Sequence, residues 1–589
     1  MKRYIWIMIC AVAAVAAYAV PAKRGWQTMT QSDGSTIELQ LIGDEHFHYW
    51  VNCDGQEVRL NTKGMYEVVG DVLTPARAPK RSKMQVRKQR QEFGVRPNLA
   101  PKGIVILVNF DDVDMKADHT RQVFDELFNS ENCMVNVYDG KQYPSAAEYF
   151  KAQSNGAYHP QFDVFGPVTL SKEAAFYGEN DDDGNDMYPS DAVIEACHLV
   201  KEQYPELNFA DYDSDLDDYV DFIYVIYAGR GEADGGGANT IWPHNWEIAP
   251  TVIPYSCDEE DCWYDPDGDR LSCCYTEEDI VIDGKILNSY AMSAELSGHK
   301  LCGIGTLCHE FSHVLGLPDF YDTEYETNYS RRLTPNEWNI MDGGSYNGDG
   351  HCPPNYDVWE KYFMGWIVPE NLGDNPASLT LFANGTDGYE AYQINASGKQ
   401  QASTHEGLNY YIEHRRQIGW DEYLPAEGML IWKVDYSEEA WVNNVPNNEA
   451  NKPRYTLVIP SGTKIGDGYG PQNVWPYQDK NSWDGVDGKP LKGITRSDQQ
   501  ITLTYIENPT AYTVQWFVNG ELLESREYNK DGSEDIVLPT KPVQACEGTN
   551  FIGWTLFSDW CDPFEKPSDL NSAPEGKVTK SVNYYAVFE

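Results

Sequence analysis

The chain has 589 residues with 45 basic and 92 acidic side chains, a formal net charge of −47, 12 histidines and 13 cysteines. At roughly 150 residues per unit, this length corresponds to about four domains, each large enough to bury a core. An acidic excess this strong, with no basic patch beyond the N-terminal segment, excludes a binder of phosphate backbones, so nucleic acid is not an expected partner.

Met1-Lys2-Arg3, an apolar run over residues 4–16 and Ala17-Tyr18-Ala19 read as a secretory signal peptide, residues 1–22, with Val20-Pro21-Ala22 as a second cleavage motif. Cys10 lies inside the apolar run behind the bulky Ile9, which makes it signal sequence rather than a lipid attachment point. No later stretch reaches the roughly 18 consecutive apolar residues of a membrane span, so none is expected. In an oxidising export route several disulfides are expected among the other twelve cysteines, with Cys546 paired to Cys561; spacing does not reveal the remaining pairs. Residues 23–98 carry 12 basic and 9 acidic side chains against 31 and 83 in residues 99–589, a net +3 ahead of a net −52. This asymmetry suits an electrostatic clamp. Strand-like stretches over 38–42, 46–52 and 65–69 lead into a basic stretch over 77–96, which is either a solvated linker or an exposed processing region.

From residue 99 the pattern changes. Gly103-Ile104-Val105-Ile106-Leu107-Val108-Asn109-Phe110 is a continuous apolar run rich in β-branched residues, as in a strand buried on both faces. Helical periodicity over 121–129, 145–153 and 191–202 and a second buried strand over 220–227 predict an α/β domain over 99–372. Asp213, Asp215, Asp217 and Asp221 repeat carboxylates along one short loop, as when a loop wraps a hard cation. Asp218 and Tyr224 stand where an EF-hand needs Gly and Glu, so the loop is either a calcium site of another type or a solvated acidic turn. Carboxylates this dense, leading into a buried strand, repel one another without a counter-ion, which favours calcium. Residues 181–186 form a weaker candidate of the same kind.

The most specific chemistry lies at His309-Glu310-Phe311-Ser312-His313. Histidines four apart lie one above the other on a helix face, so both rings can reach one tetrahedral Zn²⁺ at about 2.0–2.1 Å. Glu310, one step round the turn, is placed to take a proton from water rather than to ligate. Leu307, Phe311 and Leu315 give the helix an apolar face. Gly316 and Pro318 should end it and turn the chain back, delivering Asp319 as the third ligand; Asp322 is the rival, but the Gly-x-x-Asp spacing selects Asp319. Downstream, Asn339-Ile340-Met341-Asp342-Gly343-Gly344 is a candidate turn that places Met341 beneath the metal. This long motif with a Met-turn is similar to the metzincin type of zinc peptidase. Cys257 and Cys262, followed by Cys273-Cys274, lack the spacing of a second zinc cluster and read better as disulfide cysteines.

Beyond Pro376 short alternating strands such as 379–382 and 430–434, separated by Gly, Asn and Pro turns, predict a β-sandwich domain over 373–508. Residues 511–589, with Tyr512-Thr513-Val514-Gln515-Trp516, Phe551-Ile552-Gly553-Trp554 and Tyr584-Tyr585-Ala586-Val587-Phe588, resemble the small β-grasp-like repeats of bacterial surface proteins. The expected fold is therefore multidomain, α/β plus all-β: a zincin-like catalytic domain, a β-sandwich and a small C-terminal β-rich module.

His309 to Asp322, the Asp-rich segment 211–221, Ile241-Trp242-Pro243-His244, Tyr410-Tyr411-Ile412-Glu413 and Gly419-Trp420-Asp421 together resemble the immune inhibitor A family of secreted bacterial metallopeptidases, over roughly residues 100–508. The resemblance implies a secreted zinc endopeptidase made as a zymogen, with protein or peptide substrates and residues 23–98 as the prosegment. Carried over position by position, it makes His309, His313 and Asp319 the zinc ligands and Glu310 the general base. Many metzincins place a Tyr two residues after the Met, but Gly343 stands there; Tyr346 is the nearest substitute for stabilising the intermediate, and His244 is the alternative. In a latent form Cys53 is either a thiolate ligand to the zinc or, better suited to an oxidising route, a disulfide partner. Two other functions fit the same motifs: a surface adhesin with a decayed peptidase domain, suggested by Gly343 and the C-terminal module, and a zinc hydrolase acting on a non-protein amide or ester. The module implies cell-surface attachment.

Overall fold

The computed structural model describes residues 18–19, 21–23, 26–43, 48–54, 56–61, 65–71, 102–180, 186–214, 216–248, 251–254, 263–264, 270–272, 275–323, 334–373, 376–396, 407–449, 452–460, 469–486, 488–506, 511–518, 521–529, 532–540, 550–556, 570–578 and 582–588. The apolar run at 103–110 forms the strand Lys102–Asn109, one strand in from the edge of a mixed sheet. Gln161–Thr169 lies parallel on one side; Ile223–Arg230 and then Ser289–Ser297 lie parallel on the other. His244–Glu247 follows antiparallel, and Tyr18–Ala19 adds to its free edge.

Successive residues of a strand face opposite sides, and here both sides are apolar. Val105, Leu107, Val164, Tyr224 and Ile226 join one core with Phe124, Phe128, Phe150 and the histidine-bearing helix. Ile104, Ile106, Val108, Val225 and Tyr227 join another with Ala192, Val193, Ala196 and Val200. These two cores are carried by the expected helices. Arg121–Asn129 has the predicted bounds; Ala146–Gln153 is capped by the Ser145 side chain, which accepts from the Glu148 amide; Pro189–Gln203 begins with Pro in its first turn, where the missing N–H goes unneeded. The strand expected at 220–227 starts later, at Ile223. Val220 and Asp221 are held outside the sheet, their amides donating to the carbonyls of Ile286 and Tyr212.

The chain after residue 370 forms two facing sheets. One contains Glu370–Asn371, Tyr392–Asn395, Gly407–Arg415, Gly428–Tyr436 and Tyr455–Leu457; the other contains Ala377–Phe382, Gln500–Tyr505, Lys489–Arg496 and Trp483–Val486. Tyr410, Ile412, Met429 and Ile431 pack between them with Leu381, Leu491 and Ile501. The alternate residues Tyr411, Leu430, Trp432 and Val434 point the other way, into the core shared with the histidine helix. The first sheet is thus buried on both faces and fused to the α/β region rather than tethered to it. Residues 511–588 contribute a separate four-stranded sheet, Glu521–Asn529, Ala511–Val518, Val582–Phe588 and Phe551–Thr555 in that order, with the middle pair parallel. Its core is its own: Val514, Trp516, Tyr528, Trp554 and Val578.

The N-terminal segment forms a five-stranded meander, Gln27–Thr30, Thr36–Gly43, His48–Asn52, Gln56–Leu60 and Tyr66–Asp71. Gln27–Thr30 and Gln56–Leu60 escape a hydropathy reading because they hold few apolar residues. The meander docks through Leu41 and Trp50 onto Ala22, Ala233 and Trp242, with His48 stacked 4.7 Å from Trp242. The basic stretch 77–96, Asp215, residues 181–185 and Cys257, Cys262, Cys273, Cys274, Cys546 and Cys561 lie outside the described residues. The other six cysteines past Cys10 are unpaired thiols, Cys53 exposed among them. The expectation of disulfides fails for Cys302, Cys308 and Cys352: Cys308 packs in the core, while Cys352 directs its sulfur at the carbonyls of Gly419 and Trp420, 3.5 Å away.

Where the first β-sheet meets the α/β region, a charged cluster is wholly buried. The Arg415 guanidinium bonds both oxygens of Asp421 at 2.7 and 2.6 Å, Glu413 at 3.2 Å and the Asn355 carbonyl at 3.0 Å. Glu413 also accepts from Trp432 Nε1 at 2.8 Å and from Asn384 at 2.9 Å. Replacing Arg415 by Met should lower the unfolding free energy by about 3–5 kcal/mol, because two buried carboxylates lose their cation. Urea unfolding of the full chain measures it; a loss below about 1 kcal/mol, the worth of an exposed pair, would contradict the assignment.

Candidate active site

The helix Gly305–Val314 enters the core with Leu307, Cys308 and Phe311 buried. Phe311 sets its edge or face against Phe150, Phe162 and Phe222 with centroids 5.1, 5.2 and 4.9 Å apart. At the helix start a Cβ on Gly305 would run into the Ser345 carbonyl, so only glycine permits the approach of the turn Gly343–Tyr346. At its end Gly316 takes φ +100°, a left-handed conformation open to glycine. The Leu317 amide then donates back to the Ser312 carbonyl at 3.1 Å, and the chain reverses as the Gly-Pro spacing predicts.

This reversal brings the three predicted ligands together. His309 Nδ1 lies 2.7 Å from the Ile340 carbonyl and His313 Nδ1 2.7 Å from the Leu317 carbonyl. A carbonyl only accepts, so each Nδ1 carries the proton and each Nε2 presents its lone pair toward the other ring. The two Nε2 atoms are 3.2 Å apart, and Asp319 Oδ1 stands 3.2 Å from one and 3.5 Å from the other. Ligands at about 2.0–2.1 Å from a tetrahedral centre are separated by about 3.3–3.4 Å. The triangle therefore fits such a cation. Among the described residues Asp319 Oδ1 has no hydrogen-bond donor although it is buried, as expected of an oxygen whose partner is a metal.

Asn444, from the chain beyond the β-strand Gly428–Tyr436, holds Asp319 from behind. Its Oδ1 accepts from the Asp319 amide and its Nδ2 donates to Asp319 Oδ2, both at 2.7 Å. Asn447 donates to the Phe320 carbonyl at 2.6 Å, and Asn448 accepts from the Thr323 amide at 3.1 Å. Sequence reading missed all three asparagines. The available signal was the cluster Asn443, Asn444, Asn447 and Asn448, since an amide side chain can both donate to and accept from one carboxylate or peptide. Asp322, the rival carboxylate, is buried at 4% exposure.

Glu310 is fully buried and offers a carboxylate oxygen within 4.8 Å of the histidine nitrogens. Met341 is buried; its carbonyl accepts from the Phe320 amide at 2.8 Å, and the preceding carbonyl is the one that binds His309. Tyr346 points its hydroxyl at the Pro21 carbonyl, 2.9 Å away. Burial, together with the charges of Asp234 and Glu310, holds this phenol well above its usual pKa, so it stays a proton donor. His244 is a sheet residue: its Nδ1 donates to the Trp242 carbonyl at 2.6 Å and its Nε2 accepts from Tyr290 at 3.0 Å. Both nitrogens being engaged, His244 is not a free group for polarising substrate.

In the acidic loop, Asp213 accepts from the amides of Asp217 and Asp218 at 3.0 and 3.1 Å and pairs with Lys285 Nζ at 2.6 Å. Asp221 accepts from the Ser214 amide at 2.8 Å, and the Asp217 carboxylate accepts from the Tyr219 amide at 3.0 Å. Burial raises the Asp213 pKa, but Lys285 and the two amides outweigh it and the net shift is downward. Lys285 thus supplies positive charge of the kind the sequence argument assigned to calcium.

Comparison with known proteins agrees with this geometry. Residues 102–367 match the family described as the immune inhibitor A peptidase M6 catalytic domain. A protein named pre-pro-metalloprotease PrtV from Vibrio cholerae serotype O1 is 27% identical over 444 residues, covering 67% of this chain and 42% of its own length. One named immune inhibitor A, from Bacillus thuringiensis subsp. alesti, is 26% identical over 311 residues, covering 47% of this chain and 41% of its own. The chain spans about two fifths of the length of these curated relatives. The His-Glu-His site lies inside the stretch, residues 102–367, that matches this family of metallopeptidase catalytic domains.

Proposed function

We propose that the chain is a secreted zinc endopeptidase with a zincin-like catalytic unit, in which His309, His313 and Asp319 hold the metal and Glu310 is the general base. The observation that carries the reading is the 3.2–3.5 Å triangle of two unprotonated Nε2 atoms and one buried carboxylate oxygen. A bound Zn²⁺ would supply Lewis-acid polarisation of the carbonyl and a more acidic water. Glu310 takes the proton released as water attacks and hands it to the leaving amine. Tyr346 donates its hydroxyl hydrogen to the scissile carbonyl oxygen, where negative charge develops. The secretory segment at residues 1–22 and the relatives' names support export, and the docked meander at 27–71 supports a prosegment. The unit at 511–588, with a core of its own, reads as a spacer or adhesive module.

Casein hydrolysis that a chelator abolishes and Zn²⁺ restores distinguishes this reading from a decayed adhesin and from a hydrolase of non-protein bonds. Glu310→Gln should keep its metal and lose nearly all turnover. Activity retained within about tenfold, which is about 1.4 kcal/mol of barrier, would remove Glu310 as the base.

Asn444→Ala should weaken metal retention by about 10- to 100-fold, as loss of an outer partner of a ligand does. Competition with a chromogenic chelator reads it directly. Unchanged affinity would mean that Asp319 needs no support from the β-sheet region.

A further inference from the structure

Tyr18–Ala19 and residues 21–23 lead toward the meander and pass beside the histidine helix; with cleavage after Ala19, the first of the two signal motifs, Pro21 to Lys23 stay in the exported chain. Tyr18–Ala19 extends the sheet edge antiparallel to His244–Glu247, opposite Asn245 and His244, and comes within 8 Å of the histidine helix. Further on, the Pro21 carbonyl receives the Tyr346 hydroxyl at 2.9 Å, the same hydroxyl assigned above to the scissile carbonyl. Ala22 is buried against Ala233 and Trp242, and the Lys23 amide donates to the Ala233 carbonyl at 3.2 Å. If Tyr346 marks the position of the reacting carbonyl, Lys23 is the second residue after it.

The Lys23 ammonium ends in a seat made wholly by other parts of the chain. It donates to Ser297 Oγ at 2.8 Å and Asp349 Oδ1 at 2.7 Å, and stands 3.1 Å from Asp234 Oδ1. Three acceptors thus meet the three N–H bonds of an ammonium. The seat is braced independently of Lys23: Ser297 Oγ donates to Asp349 at 3.1 Å, and Asp234 accepts from the Gly298 amide. A guanidinium, planar and forked, could not satisfy its five donors on acceptors arranged around a point.

We propose that Asp234, Asp349 and Ser297 form a substrate subsite for a lysine side chain two residues after the scissile carbonyl, and that Lys23 fills it as a built-in occupant. This rests on the peptidase reading above. The competing account is that the seat only anchors the chain's own N-terminal segment and plays no part in choosing substrates.

The test uses the full chain carrying Lys23→Ala, which removes the occupant's side chain. Three internally quenched peptides, identical except for Lys, Ala or Glu at the second residue after the cleaved bond, are compared by kcat/KM, with mass spectrometry fixing the bond cut. The lysine peptide should exceed the alanine peptide by about 10- to 100-fold, the range expected for charge-assisted hydrogen bonds, with the glutamate peptide lowest. Adding Asp234→Asn and Asp349→Asn should bring the Lys-to-Ala ratio within about twofold, a ratio that a general loss of fold would not change selectively. Cleavage of all three peptides with equal efficiency overturns the subsite while leaving the peptidase reading intact. If no peptide is cut, casein hydrolysis after limited proteolysis of the basic stretch 77–96 separates a latent enzyme, which regains activity, from a failed peptidase reading, which does not; the subsite is then decided by fluorescence anisotropy of the same peptides on the nicked Lys23→Ala, Glu310→Gln chain. Tighter binding of the lysine peptide supports it and equal binding overturns it.

Discussion

The hydrogen bonds from His309 and His313 to the carbonyls of Ile340 and Leu317 govern the rest of the site. An imidazole has one proton in its neutral form, and whichever nitrogen keeps it cannot bind a metal. By holding both protons on Nδ1, these carbonyls leave the two Nε2 atoms as ligands and fix the plane of each ring. Neither carbonyl belongs to the part of the helix that carries the histidines. Leu317 is brought back by the left-handed Gly316, and Ile340 arrives on the turn that also buries Met341. The site therefore needs both the helix end and the turn at Ile340 to be folded.

The proposed third ligand, Asp319, depends on chain still farther away. Asp319 is buried without exposure, and a carboxylate in that position is tolerated only if hydrogen-bonded or charge-paired. One of its oxygens is satisfied by Asn444, 125 residues on; the other faces the histidines. The residues carrying Asn444 are themselves fixed by the core in which Phe320 stacks 3.7 Å from Tyr455 and by the fused β-sheet whose Trp432 and Tyr411 belong to the same cluster as Phe311. Positioning of the carboxylate is thus tied to docking of the β-sheet, and the buried Arg415 cluster at that junction is part of what maintains it.

What could be read in advance follows from the range over which each signal acts. The strand Lys102–Asn109 and the helix Arg121–Asn129 were legible because periodicity is a local property, and the histidine pair because i, i+4 spacing on a helix is geometry in one dimension. Asp319 was legible because a glycine and a proline determine the turn that delivers it. Asn444, Lys285 and Lys23 were not, since their partners lie in contacts spanning tens to hundreds of residues that no spacing rule encodes. The cysteines make the same point in reverse. Crowding along the sequence suggested disulfides, yet a disulfide needs Cα atoms within about 7 Å and converging Cβ vectors, which proximity in sequence does not supply, and Cys302, Cys308 and Cys352 are thiols.

In the proposed mechanism Tyr346 compensates for a departure from the motif. Gly343 leaves the usual position after the methionine without a side chain, but the short turn Gly343–Tyr346 carries the phenol three residues farther and packs against the start of the histidine helix, where Gly305 makes room. Burial next to Glu310 and Asp234 would be unfavourable for a phenolate, because a further negative charge would join two carboxylates in a low-dielectric site. The same surroundings keep the hydroxyl protonated across the range in which a carboxylate base works. Donor and base are thereby separated: Glu310 can accept a proton while Tyr346 cannot readily lose one. A hydroxyl held in this state is suited to the proposed role at a carbonyl oxygen acquiring charge, and it donates here to the Pro21 carbonyl.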